Sequence, residues 1–173
     1  IRNCDWSSDV CSSDLNPNNP TGKLLLKKNL LKIIQNAKKK SSLVFVDESF
    51  IELVPDSNQS VIKYIKKFSN LFILRSMTKS FGLAGIRIGY GVGNKQLISV
   101  LNNLKIPWNV SGLAQDAAGA ALCSLSYLAK SKNLIKKESK YLRNSISKIN
   151  GFECHDRSEE HTSELQSQFR ISY

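Results

Sequence analysis

Two kinds of apolar pattern divide the middle of the chain. Short apolar runs at 43–46 and 71–74, and the run at 88–92 with glycines within and around it, are typical of buried strands. Before, between and after these runs, apolar residues recur every three or four positions, which predicts amphipathic helices. The predicted helices cover 29–40, 61–68, 95–104, 114–128 and 133–149.

Buried strands that alternate with helices imply an α/β architecture, with a mainly parallel sheet flanked by helices. In such sheets, ligands bind at the carboxyl ends of the strands. Asp47 and Lys79 both stand where a predicted strand ends or has just ended. We therefore expect the chemistry of this chain at that edge of the sheet, although the strand order does not follow from the sequence.

The two ends of the chain differ from this middle. Residues 5–15 and 157–167 are rich in serine and acidic residues, whereas the interior is rich in lysine, isoleucine, leucine and asparagine. Both end segments match translations of a standard short-read sequencing adapter, read on opposite strands. We interpret 1–15 and 157–173 as non-native adapter-like segments and leave them out of the fold prediction.

Charge and composition exclude several classes of protein. The chain carries 25 Lys and Arg against 14 Asp and Glu, a net charge of +11. Without the two ends, 22 basic and 8 acidic residues remain, a net charge of +14. The excess is mostly lysine without interleaved aromatic residues, so we expect solvated helix faces and no nucleic-acid partner. No apolar run reaches the length of a membrane span and no Cys/His spacing indicates a metal site, so we expect a cytoplasmic protein without membrane contact or metal.

Three motifs carry the candidate chemistry. They are NPNNPTG at 16–22, FVDESF at 45–50 and SMTKSFGLAGIRIGYG at 76–91. Their order and spacing resemble the pyridoxal-phosphate-dependent aminotransferases of fold type I. The nearest likeness is to the group that holds histidinol-phosphate aminotransferases and threonine-phosphate decarboxylases. The resemblance spans 16–156.

The resemblance implies a domain organisation and a set of roles around the cofactor ring. Residues 16–130 would be part of the large pyridoxal-phosphate-binding domain, and 131–156 would begin the small C-terminal domain. Lys79 would form a Schiff base with the cofactor and, once displaced, act as a base at the substrate α-carbon. Asp47 would hold a proton on the pyridine nitrogen, which keeps the ring an electron acceptor.

The same resemblance assigns the phenolic oxygen and the phosphate. Asn19 would donate to the phenolic oxygen, and Pro20 resembles the family's cis-proline that aims this amide. Arg87 would pair with the phosphate beside Ser76, because a bidentate guanidinium suits a dianion. Thr78 belongs to the same cofactor-binding group.

Phe50 departs from the pattern of many family members. They carry a tyrosine at this position, which also donates to the phenolic oxygen, so phenylalanine implies one hydrogen bond fewer. Taken singly, each site residue also has an ordinary alternative: a surface lysine, an aspartate that caps a turn, an Asn-Pro turn or a surface ion pair. Gly89, Gly91 and Gly93 are expected to mark close backbone packing rather than a nucleotide-binding loop.

The implied activity is transfer of the amino group of a phosphorylated amino compound, such as histidinol phosphate, to 2-oxoglutarate. The strings DESF and SMTK lean towards the decarboxylase branch and GLAGIRIGY fits both, so a threonine-phosphate decarboxylase of corrinoid biosynthesis stays open. A basic nucleic-acid-binding module is the alternative of another class. The parent enzyme is expected to be a homodimer. The fragment alone is expected to be inactive and poorly folded, since it lacks the family's phosphate-binding loop and its sheet has exposed edges.

Overall fold

The structure is a computed structural model, and it describes residues 15–19, 21–54, 57–154 and 169–171. Most of the two adapter-like segments, residues 1–14, 157–168 and 172–173, therefore lies outside the described residues. The strands are β1 (Val44–Asp47), β2 (Leu71–Ser76), β3 (Gly89–Gly93), β4 (Phe152–Cys154) and β5 (Phe169–Ile171). The helices are α1 (Lys27–Lys39), α2 (Met77–Ser80), α3 (Lys95–Leu104), α4 (Gly112–Leu122) and α5 (Leu125–Ile146).

Within the described residues, three strands form one sheet in the order β1–β2–β3. β1 and β2 run parallel, with Asp47 opposite Leu74. β3 runs antiparallel to β2, with Ser76 opposite Gly89. The parallel pair and the α/β architecture confirm the predicted fold class, and the direction of β3 adds an antiparallel edge that the sequence did not indicate. β4 and β5 form a separate antiparallel pair.

The core lies between α1 and one face of the sheet. Leu30 and Ile34 of α1 are buried against Val46 of β1 and against Leu71 and Ile73 of β2. These apolar positions of α1 are four residues apart, so they share one face of the helix, as its pattern predicts. The opposite face of the sheet is more open: Phe45 is 43% exposed and Leu74 is 41% exposed.

Glycine allows β2 and β3 to pack closely. A Cβ on Gly91 would overlap the Phe72 ring, and a Cβ on Gly93 would lie 2.8 Å from Phe72 Cδ2. A Cβ on Gly89 would lie 2.5 Å from the carbonyl oxygen of Arg75. The prediction that these glycines serve close packing is confirmed.

The predicted helix over 61–68 is wrong. This segment contains the short 3-10 turn Ile62–Tyr64, and the amides of Lys67 and Phe68 then both donate to the carbonyl of Tyr64. β-branched residues have lower helix propensity than unbranched ones. The segment must also re-enter the sheet at Leu71, whose amide donates to the carbonyl of Phe68. Successive tight turns satisfy both constraints.

The two predicted helices at 114–128 and 133–149 both exist, but their boundary is wrong. α4 ends at Leu122, and α5 then runs unbroken for 22 residues to Ile146. The break falls at Ser124, whose hydroxyl donates to the carbonyl of Ala120 at 3.2 Å and so competes with the helical backbone. The predicted domain boundary between 130 and 131 falls inside α5 and stays a prediction. Among the helices of the described residues, none combines the length and the apolar character of a membrane span.

Candidate active site

The strand directions bring three predicted site residues to one edge of the sheet. β1 and β2 are parallel, so Asp47 at the end of β1 and Ser76 at the end of β2 leave the sheet on the same side. β3 is antiparallel and begins at Gly89 opposite Ser76. Arg87, two residues before Gly89 in the sequence, therefore enters from the same edge.

The NPNNPTG turn lies beside this edge. Leu15 forms a parallel bridge with Asp47, and the amide of Asn16 donates to the carbonyl of Asp47 at 2.8 Å. The segment that begins at Leu15 therefore runs beside the end of β1 and continues into the turn that carries Asn19. The amide of Gly22 closes the turn onto the carbonyl of Asn18 at 2.6 Å. This confirms the turn that the sequence predicts.

Asn16 holds the turn in place, a role that the sequence analysis missed. Its side-chain oxygen accepts from the amide of Leu25 at 2.8 Å, and its side-chain nitrogen donates to the carbonyl of Leu25 at 3.1 Å. Asn16 is 7% exposed, and the peptide bond between Asn16 and Pro17 is cis. Pro20, the expected cis-proline, lies outside the described residues.

The Asp47 carboxylate organises the turn that follows β1. Its Oδ1 accepts from the backbone amide of Ser49 at 2.9 Å and from the Ser49 hydroxyl. The next residue, Phe50, is buried. Asp47 thus has a turn-forming role as well as its place at the sheet edge, and this turn presents Phe50 to the site.

Lys79 and Phe50 are brought together. Lys79 lies in α2, which Ser76 caps by accepting the amide of Thr78 at 3.2 Å. The Lys79 ammonium stands 5.8 Å from the centroid of the Phe50 ring, within the range of a cation–π contact. Lys79 is exposed although its neighbours Met77 and Ser80 are buried. The short helix therefore points the amine outward at the sheet edge.

Arg87 occupies a special backbone position at the same edge. Its φ is +56°, in the left-handed region that non-glycine residues rarely adopt. Its side chain is exposed, and Nη1 donates to the carbonyl of Ala84 at 3.2 Å. Among the described residues no hydrogen bond joins Arg87 to Ser76.

A buried charge cluster lies directly behind the edge. Glu48 follows Asp47 in the chain and Arg75 precedes Ser76. Arg75 Nη2 lies 2.8 Å from Glu48 Oε2, and its Nη1 lies 2.7 Å from Glu52 Oε1. The side chains of Arg75 and Glu48 are 9% and 1% exposed. The sequence analysis missed this cluster. The signal in the sequence was that Glu48 and Arg75, of opposite charge, directly adjoin the two predicted site residues at the strand ends.

Charge and burial in the cluster shift two pKa values. Burial alone would lower the pKa of Arg75, but the charges of Glu48 and Glu52 outweigh it, so this pKa is raised. Burial, assisted by the charge of Glu52, raises the pKa of Tyr90, which lies opposite Arg75 on β3. The guanidinium is therefore held firmly in its charged form.

The donor set at this edge matches the parts of pyridoxal phosphate. The Lys79 amine could bind an aldehyde, and the Asp47 carboxylate could pair with a protonated ring nitrogen. The Ser76 hydroxyl and the Arg87 guanidinium could bind a phosphate. The buried face of Phe50 offers an apolar surface for a ring. The residues that are present fit the group. Among the described residues, no cluster of three or more His, Cys, Asp or Glu could hold a metal ion.

Comparison with known proteins decides the family. The family described as aminotransferase class I and II matches residues 15–160. The chain belongs to this family. The match confirms the resemblance on which the sequence analysis relied, and the fold is that of a fold type I aminotransferase, in part.

Individual relatives of the chain fall in both predicted branches. This chain is 38% identical over 140 residues to the histidinol-phosphate aminotransferase of Thermoanaerobacter pseudethanolicus. The match covers 81% of this chain and 38% of that protein. The histidinol-phosphate aminotransferase structure from Clostridium acetobutylicum has a TM-score of 0.77 and 35% identity, over 84% of this chain and 44% of that one. The L-threonine-O-3-phosphate decarboxylase structure from Porphyromonas gingivalis has a TM-score of 0.71 and 26% identity, over 82% and 43%. The chain thus spans less than half of these relatives.

Proposed function

We propose that this chain is part of a pyridoxal-phosphate-dependent aminotransferase that acts on a phosphorylated amino compound such as histidinol phosphate, with 2-oxoglutarate as the amino acceptor. The observation that carries the proposal is the meeting of Asp47, Ser76 and Arg87 at one sheet edge, with Lys79 directly behind Ser76 on α2. Membership of the aminotransferase family supports it.

The chain's own residues divide the chemistry between them. When bound, pyridoxal phosphate supplies an electron sink for a carbanion at the substrate α-carbon. Lys79 would hold the cofactor through its aldehyde and would take and return the proton at the substrate α-carbon. Asp47 keeps a proton on the ring nitrogen. Asn19 donates to the phenolic oxygen.

The remaining residues orient the cofactor. Arg87 and Ser76 would bind the phosphate, with Thr78 beside them. Phe50 would offer an apolar surface to the ring. Its ring lies 5.8 Å from the Lys79 ammonium, so aromatic ring and amine already occupy neighbouring positions. The parent protein is proposed to be a homodimer, the arrangement implied by the family resemblance.

Threonine-phosphate decarboxylase is the second candidate, and the strings DESF and SMTK favour it. The structural comparison does not favour it, since the TM-score to L-threonine-O-3-phosphate decarboxylase is 0.71 against 0.77 for the aminotransferase. Both activities use the same lysine and differ in which bond of the substrate is broken. Residues that contact the substrate carboxylate separate them, and the motifs at 16–91 do not include these residues.

The test uses the full-length protein that contains residues 16–156. It is loaded with pyridoxal phosphate and assayed with histidinol phosphate plus 2-oxoglutarate, and separately with threonine phosphate for release of carbon dioxide. We expect glutamate formation in the first assay and loss of it in Lys79→Ala. Carbon dioxide release without glutamate would favour the decarboxylase. A protein that binds no pyridoxal phosphate would overturn both candidates.

A further inference from the structure

The buried cluster behind the site is made by one guanidinium. Arg75 donates from Nε to Glu48 Oε2 at 3.0 Å, from Nη1 to Glu52 Oε1 at 2.7 Å and from Nη2 to the Ser60 hydroxyl at 2.9 Å. Each of its three nitrogens therefore donates to the cluster, and Nη2 also lies 2.8 Å from Glu48 Oε2. Two of these partners, Glu48 and Glu52, flank the turn that carries Phe50.

Glu48 is fully buried and its carboxylate is satisfied on both oxygens. Oε1 accepts from the amide of Val61 at 2.8 Å, and Oε2 accepts from the Ser60 hydroxyl at 2.8 Å as well as from Arg75. Its backbone amide donates to the carbonyl of Leu74 on β2 at 2.9 Å. Glu48 is thus fixed to β2 by both its backbone and its side chain.

Alternation along the strands places the cluster and the site on opposite faces. Val46 and Ile73 face the core under α1, and Glu48 and Arg75 follow them at a spacing of two residues. Asp47 lies between Val46 and Glu48, and Ser76 directly follows Arg75, so alternation places both on the other face. Each member of the ion pair is therefore the direct chain neighbour of one site residue.

Helix α5 covers the cluster. Leu128 and Lys132 of α5 line a small cavity together with Glu52, Ser60 and Arg75. The helix therefore lies beside the cluster, in which the side chains of Arg75 and Glu48 are 9% and 1% exposed.

Stability alone does not account for such a cluster. A buried ion pair is often no more stabilising than apolar residues of similar volume, because desolvation offsets the attraction. What an ion pair offers, and an apolar contact does not, is a fixed direction and distance between two chain segments. Here those segments are the ends of β1 and β2.

We propose that Arg75 and Glu48 are positioning residues, whose buried ion pair sets the spacing between Asp47 and Phe50 on one strand end and Ser76 and Lys79 on the other. This inference rests on the proposed use of pyridoxal phosphate at this edge. Arg75 touches neither cofactor nor substrate. It acts through the two turns that carry the groups which do.

The test compares three variants of the full-length protein. Arg75→Lys keeps the charge but loses the three-way fork. The double variant Glu48→Met with Arg75→Met removes both charges and keeps apolar volume. Ile34→Ala, in the core beneath the sheet, is the matched control for lost stability without lost alignment. Each is measured for Tm without cofactor, for the Kd of pyridoxal phosphate, and for the visible circular dichroism of the bound cofactor.

We expect the double variant to lose no more Tm than Ile34→Ala, although Val61 and Glu52 lose a partner, yet to bind pyridoxal phosphate about tenfold more weakly and with a reduced dichroic band. Arg75→Lys should change the same two readouts in the same direction, and Ile34→Ala should lower Tm only. Parental Kd and dichroism in both cluster variants would overturn the inference. A parent protein that fails to bind pyridoxal phosphate would overturn the proposed function instead.

Discussion

The contact between β2 and β3 gives the sharpest stability prediction. The Phe72 ring lies against Gly91, where an added Cβ would overlap Cζ and lie 3.1 Å from Cε1 and Cε2. Phe72 is 6% exposed and also packs on Phe45, with ring centroids 5.3 Å apart. Gly91 does not adopt the left-handed backbone conformation that favours glycine. Gly91→Ala therefore tests steric exclusion alone.

The expected cost follows from the crowding. The ring cannot move away from β3 without disturbing Phe45, so the alanine methyl must displace the ring or the strand. Overpacking of this kind costs about 1–3 kcal/mol in the free energy of unfolding. Gly119→Ala is the matched control, because nothing lies within 4 Å of a Cβ there and the residue is inside α4. In a helix interior, that change should stabilise by about 0.5–1 kcal/mol.

The measurement is the thermal unfolding midpoint of the full-length protein, without cofactor, for both single variants and for Gly91→Ala combined with Phe72→Leu. The two glycine variants should move Tm in opposite directions. The combined variant should lose less stability than the sum of its parts, because the smaller side chain makes room for the methyl group. If Gly91→Ala were as stable as Gly119→Ala, the close packing of β2 on β3 would be refuted.

Three further predictions follow from the site and its surroundings. Phe50→Tyr in the cofactor-loaded full-length protein should lower the pH midpoint of its visible absorbance change, because the hydroxyl adds a donor to the phenolic oxygen; an unchanged midpoint contradicts this. Burial raises the pKa of Tyr90 above 10.0, so stability from its protonated form is complete below that pH and is lost as the pH rises through the folded pKa. Above about pH 10, the Tm of Tyr90→Phe should therefore fall less steeply with rising pH than the Tm of the parent. Equal slopes of Tm against pH would count against a raised pKa of Tyr90. The 173-residue chain alone should bind a hydrophobic dye and show no transaminase activity, since Trp108 is 97% and Leu113 is 80% exposed; a monomeric, active product that melts cooperatively would disprove this.

Much of the sheet was predictable because its signals are local. The runs at 43–46, 71–74 and 88–92 lie within one or two residues of β1, β2 and β3 at each end. The helix predicted over 95–104 has the observed bounds, since Asn94 caps it by accepting the amide of Leu97 at 2.8 Å. A cap residue and an apolar run are read from neighbouring positions, so they need no knowledge of the fold.

The buried charge cluster could not be predicted, because its contacts join residues that are far apart in the sequence. Glu48 and Arg75 are 27 residues apart in the chain and meet only because β1 and β2 pair in one particular register. A shift of one residue would turn Arg75 to the other face of the sheet. The failure over 61–68 has a similar origin: its apolar spacing suits a helix, but the contact of the Val61 amide with Glu48 is long-range.

The direction of β3 explains why Lys79 and Arg87 stand only eight positions apart in the sequence. Parallel strands require a crossover of a dozen or more residues, and the crossover would bring the next strand in at the far edge of the sheet. Because β3 is antiparallel, the chain turns back after α2 and re-enters beside Ser76, at the edge it has just left. A single short loop can therefore place an amine and a guanidinium on the same side of the sheet. The antiparallel direction of β3 therefore accounts for the short spacing between Lys79 and Arg87, and it brings both cations to the candidate site.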